Sequence, residues 1–154
     1  MNSIWKTALL LFCTMTFSAM ADVKVPAVFS DNMVLQRMEK TPVFGTADKG
    51  EKITIKAGDV TAEATAGDDG VWRATVDTRK LNGPFDVTVT GKNAITIKNA
   101  LVGEVWICSG QSNMELPVIA AKDADLEIAG ASDPELRMFT VEKATSLEPL
   151  KDVK

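Results

Sequence analysis

Val105-Trp106-Ile107-Cys108-Ser109-Gly110-Gln111-Ser112-Asn113-Met114 is the stretch of this chain whose residue types and spacing could do chemistry. An apolar run stops near Gly110, and Ser112 follows two positions later, where a helix can begin. Glycine permits a tight bend. A serine at a helix start sits beside backbone N–H groups that no helical carbonyl claims, and such groups can hold a developing oxyanion. The corresponding chemistry is acyl transfer: the Ser112 hydroxyl attacks an ester carbonyl once a histidine has removed its proton. The chain contains no histidine, so it carries a nucleophile candidate without the base that would activate it.

No other group takes that base's place. Lys122 lies ten positions further along and has no reason to be deprotonated. Glu104 and Glu115 are near in sequence, but Ser112-Asn113-Met114-Glu115 also fits the S-x-x-E capping box, in which serine and glutamate satisfy backbone donors reciprocally. On spacing alone the cap is the commoner origin of such a pattern. The block also departs from the G-x-S-x-G elbow, because Met114 stands where the second glycine would be. Loss of triad members in serine hydrolases costs on the order of 10⁴ to 10⁶ in turnover, so negligible esterase activity is expected of the 154-residue chain alone.

Other candidates carry less. Trp72 and Trp106 could stack on sugar rings, but both lie on apolar strand faces where core packing is expected. Asp68 and Asp69 with Glu63 could approach calcium, yet calcium needs six or more convergent oxygens, and a solvated turn explains them better. No phosphate loop, zinc site, nucleic-acid module or internal repeat is present, and no metal or organic cofactor is implied.

Residues 1–21 have the pattern of an export signal: Lys6, an apolar stretch, then Ala19-Met20-Ala21 as a small-x-small cleavage site. The apolar run is shorter than the roughly 20 residues of a spanning helix. A secreted or periplasmic location follows as an expectation. Removing the signal takes away Lys6 and shifts the net charge from −4 to −5, which argues against nucleic acid and anionic membrane surfaces as partners. Cys13 leaves with it. Cys108, then alone, cannot form an internal disulfide and is expected to be a small buried residue at a strand end.

The elements that must position the serine fall into two halves. Residues 22–100 show short strands separated by turns. Ile53, Ile55 and Ala57 share one face; Trp72, Ala74 and Val76 another; Phe85, Val87 and Val89 alternate with polar residues, and Ile95 and Ile97 point inward. Residues 60–66 make a weaker strand. Gly67-Asp68-Asp69-Gly70, Asn82-Gly83-Pro84 and Gly91-Lys92-Asn93 are breaks. The spacing predicts an antiparallel, β-sandwich-like domain. Residues 101–154 change character. Val105-Trp106-Ile107-Cys108 is continuously apolar, as in a strand buried on both faces. Beyond Ser112 the pattern turns helical, with Pro117 in a first turn or starting a second helix. Residues 136–141 suggest another strand. The expectation is the first β–α–β of a parallel sheet, incomplete within this sequence, and a mixed α+β fold class overall.

Residues 103–115, Gly103 through Glu115, closely resemble the nucleophile block of the sialate O-acetylesterase family of SGNH-type hydrolases. Pro26-Ala27-Val28-Phe29-Ser30-Asp31-Asn32-Met33-Val34-Leu35-Gln36-Arg37 resembles the opening of that family's N-terminal β domain, and Pro42-Val43-Phe44-Gly45 and Gly70-Val71-Trp72-Arg73 also fit. The resemblance implies a serine acyl-enzyme esterase removing acetyl groups from hydroxyls of sialic acid or other acetylated carbohydrates. By position it makes Ser112 the nucleophile and an oxyanion donor, Gly110 the bend and Asn113 the helix start. Gln111 stands where many SGNH enzymes carry an aspartate. The family's C-terminal aspartate and histidine have no counterpart here. The rival reading is a non-catalytic carbohydrate-binding or scaffold β module.

Overall fold

The β elements follow from period-two alternation, and the computed structural model, which describes residues 22–153, places the alternating residues as that pattern requires. The expected export signal, residues 1–21, lies outside the described residues. Among the described residues seven strands form: β1 (Val34–Gln36), β2 (Thr41–Thr46), β3 (Lys52–Ala57), β4 (Val60–Thr65), β5 (Val71–Val76), β6 (Phe85–Thr90) and β7 (Ala94–Gly103). A short 3-10 turn, Thr78–Lys80, joins β5 to the loop before β6.

The strands make a five-stranded sheet in the order β1-β7-β6-β3-β4 and a two-stranded sheet of β2 and β5. Ile53, Ile55 and Ala57 from β3, Val87 and Val89 from β6, and Ile97 and Ala100 from β7 face inward. Val43 from β2 and Trp72, Ala74 and Val76 from β5 join them in one apolar cluster. β4 is an edge strand whose apolar residues are only half-buried, which accounts for its weak pattern in the sequence. The arrangement is therefore mixed and sheet-rich. It is not wholly antiparallel: β1 runs parallel to β7, with Val34 opposite Leu101 and Gln36 opposite Gly103. That pairing joins residues far apart in the chain, and no local pattern announces it.

Two close approaches tighten the core. A Cβ at Gly45 would stand 2.0 Å from the Lys24 carbonyl oxygen and 2.8 Å from the Trp72 ring, so only glycine lets β2 lie this near both. Trp72 is 1% exposed, which agrees with the expected core role and removes it as a sugar platform. Its indole N–H has no hydrogen-bond partner among the described residues.

Beyond Gly103 the expected β–α–β unit does not form. Residues 105–108 and 136–141 are not strands. The segment holds two 3-10 turns, Ser112–Glu115 and Val118–Ala120, and one seven-residue helix, α1 (Ala124–Gly130). Pro117 separates the two turns, consistent with its missing N–H. A strand needs a neighbour to take up its backbone hydrogen bonds, and among the described residues none offers an edge to 105–108. Trp106 is accordingly 83% exposed and Ile107 93% exposed, and Cys108 is an exposed free thiol. These observations correct the expected burial of Trp106 and Cys108. No described helix is long and apolar enough to cross a membrane.

Candidate functional site

Ser112 begins its 3-10 turn with Gln111 as the flanking extended residue. The turn closes through Met114 N–H donating to the Gln111 carbonyl at 2.9 Å. Gly110 lies under it: a Cβ there would stand 2.6 Å from Met114 Cγ. The chain bends at Gln111, one residue after Gly110, and Asn113 is the second residue of the turn. All four residues, Gly110, Gln111, Ser112 and Asn113, are exposed.

The capping box is not made. No side chain caps this turn, and Glu115 instead forms an ion pair with Lys143. The Ser112 hydroxyl therefore has no hydrogen-bond partner among the described residues and faces open solvent. Its neighbouring amides are those of a helix start. This geometry gives a carbonyl free access to the oxygen, while no hydrogen bond joins it to a base among the described residues. Lys122 is exposed and pairs with Asp123 at 4.0 Å.

The weaker candidates resolve simply. Asp68 pairs with Lys49 at 3.2 Å, Asp69 accepts a hydrogen bond from Val71 N–H at 3.0 Å, and Glu63 sits opposite Thr54 on β4. Among the described residues no group of three or more histidine, cysteine or acidic side chains could hold a metal.

No sequence pattern marks how the segment bearing Ser112 is fastened to the strands. Gln36, at the end of β1, accepts a hydrogen bond from Val105 N–H at 2.8 Å and donates one to Glu104 Oε2 at 3.0 Å. Arg37 N–H donates to the Gly103 carbonyl at 2.9 Å. Farther on, the Arg137 guanidinium donates to the Asn99 carbonyl, and Ala27 N–H donates to Asp152 at 3.2 Å. No spacing rule reveals a side chain reaching across nearly seventy residues of sequence.

Known proteins place this architecture. No protein-family model matches the chain. Sialate O-acetylesterase of Rattus norvegicus is 32% identical over 141 residues, covering 82% of this chain and 26% of its own length. The Mus musculus protein of the same name is 28% identical, covering 97% of this chain and 30% of its own length. The crystal structure of a carbohydrate acetylesterase from Xanthomonas citri superposes with a TM-score of 0.78 at 30% identity, covering 86% of this chain and 31% of that one. The chain thus spans between a quarter and a third of the length of these relatives. Over that span, in sequence and in backbone alike, it belongs to the sialate O-acetylesterase family.

Proposed function

We propose that this chain supplies the nucleophile-bearing portion of a carbohydrate O-acetylesterase. In this reading residues 22–100 are a β-sandwich-like domain, and residues 101–154 are the start of an SGNH-like α/β hydrolase domain. The protein is secreted or periplasmic. The observation that carries the reading is the exposed hydroxyl of Ser112, without a hydrogen-bond partner among the described residues, at a helical start two residues after Gly110, within a chain related to named acetylesterases.

A base takes the Ser112 proton as Oγ attacks the acetyl carbonyl of an O-acetylated sialic acid or another acetylated sugar. The oxyanion is held by the Ser112 N–H and donors beside it, in the turn of Gly110, Gln111 and Asn113. Collapse expels the sugar hydroxyl, which takes back the proton, and leaves an acetyl-serine. Water, deprotonated by the same base, then releases acetate. The base is a histidine that the sequence does not contain, so the chain alone is inactive and is completed by residues such as the remaining length of its relatives would supply.

A fusion tests this. Residues 22–154 replace the matching portion of the Xanthomonas citri enzyme, and release of acetate from an acetylated sugar is measured. The fusion is expected to turn over, and Ser112→Ala to lower turnover by on the order of 10⁴-fold or more. Turnover insensitive to Ser112→Ala overturns the assignment. Labelling of the chain alone by a fluorophosphonate, lost in Ser112→Ala, would overturn its inactivity. The second reading, a carbohydrate-binding or scaffold β module, draws on the packed core lying wholly before Gly103. It predicts sugar binding by the chain alone that Ser112→Ala leaves intact.

A further inference from the structure

Gln36 is fixed on two sides. Its backbone carbonyl lies 2.7 Å from Thr78 Oγ1 and 2.8 Å from Thr41 Oγ1, and both threonines are buried. The two hydroxyls are 3.0 Å apart, and Thr78 Oγ1 also accepts from Met38 N–H at 2.9 Å. Thr78 Oγ1 also lies 3.0 Å from the Met38 carbonyl, so the two hydroxyls have several acceptors within reach, and buried polar groups kept bonded in this way resist displacement. The end of β1 is therefore tied to the core.

Its side chain projects past the last ladder pair, Gln36 opposite Gly103. Val105 N–H can only donate, which assigns the facing amide atom as oxygen and turns the amide nitrogen toward the Glu104 carboxylate. The carboxamide thus offers a carbonyl and an N–H to the segment leaving β7, as one more peptide of β1 would. Glu104 and Val105 are the residues at which the sheet ends and the stretch leading to Ser112 begins.

We propose that Gln36 is a positioning residue for the reaction at Ser112: its carboxamide extends the β1–β7 ladder beyond Gly103 and sets the direction in which residues 105–112 leave the strands. This rests on Ser112 being the nucleophile. Gln36 does not touch the reacting atoms.

The test uses nuclear magnetic resonance on the full chain. Amide exchange of Val105 and residual dipolar couplings over 105–109 are measured in wild type, Gln36→Leu and Gln36→Glu. In Gln36→Leu, Val105 exchange is expected to rise about threefold to tenfold, with couplings over 105–109 averaging toward zero, while Ile55 and Val89 stay protected. Gln36→Glu places a second carboxylate against Glu104. Its Val105 protection is expected to be lost near neutral pH and regained as pH falls through the carboxylate range, about 4, where one acid can donate to the other. Wild-type exchange or wild-type couplings in Gln36→Leu overturn the proposal, as does a pH-independent Gln36→Glu. In the fusion described above, Gln36→Leu is expected to lower kcat severalfold with KM little changed, and an unchanged kcat also overturns it. Ser112→Ala in the same fusion reports separately on the nucleophile.

Discussion

The strands up to Gly103 and the segment after it use the same residue types to opposite ends. Trp72 is 1% exposed and Trp106 is 83% exposed; Ile55 is fully buried and Ile107 is 93% exposed. No residue beyond Gly103 is fully buried among those described. The difference is not hydrophobicity. Ile55 and Ala57 have β4 and β6 on either side to take their backbone hydrogen bonds, so their side chains can close over Val87 and Val89. Val105-Trp106-Ile107-Cys108 is more apolar, yet after Val105 no strand edge lies alongside. An apolar run becomes a strand only where a ladder receives it.

Matched substitutions test that contrast most sharply when the same residue type is changed on each side. Trp72→Ala is expected to cost about 3–5 kcal/mol in urea unfolding, whereas Trp106→Ala is expected to stay within about 0.5 kcal/mol. Equal costs would show that the exposed segment packs in solution. Gly45→Ala is expected to cost about 1–3 kcal/mol, near the upper end because the nearest atom is the Lys24 backbone oxygen. Gly110→Ala meets only the movable Met114 side chain, and its unfolding curve is expected to match wild type.

Hydroxyls give a smaller difference. Thr78→Val strips partners from Met38 N–H and the Gln36 carbonyl and is expected to cost about 1–2 kcal/mol; Ser112→Ala, with no partner lost, is expected to cost nothing measurable. The slightest effect is electrostatic. The Arg79 side chain holds the Asp77 carboxyl below its usual 3.8. Its ionised form is thus favoured in the folded state, and its contribution is present above 3.8 and lost as pH falls through the lowered value. Asp77→Asn is expected to flatten the acid limb of stability against pH below that point. An unchanged slope would remove this pair from the account.

The strands that bury one face were legible because burial on one side writes period two into the sequence. Trp72, Ala74 and Val76 showed it, and so did Val87 and Val89. β1 and β2 were harder. β1 has three residues, and β2 contains Pro42 on its exposed face, which a strand tolerates only where no ladder hydrogen bond is needed. The helical start at Ser112 was visible from the spacing of its block, though the bend falls at Gln111 and not at Gly110. The same spacing suggested a cap that Glu115 does not make, since Lys143, 28 positions away, takes its carboxylate. Gln36 and Thr78 were invisible as anchors, because a hydrogen bond between distant residues leaves no periodicity.

The parallel seam between β1 and β7 also has a consequence in time. Val34, in the first described strand, leaves the ribosome well before its partner Leu101, in the last described strand. Closure of so long a loop is slow, so the first strand waits unpaired while β2 to β6 assemble. The sheet edge left bare in that interval is the place where a translating chain would be most exposed to a neighbour's strand, and the arrival of β7 both ends that hazard and releases the serine-bearing stretch in one event.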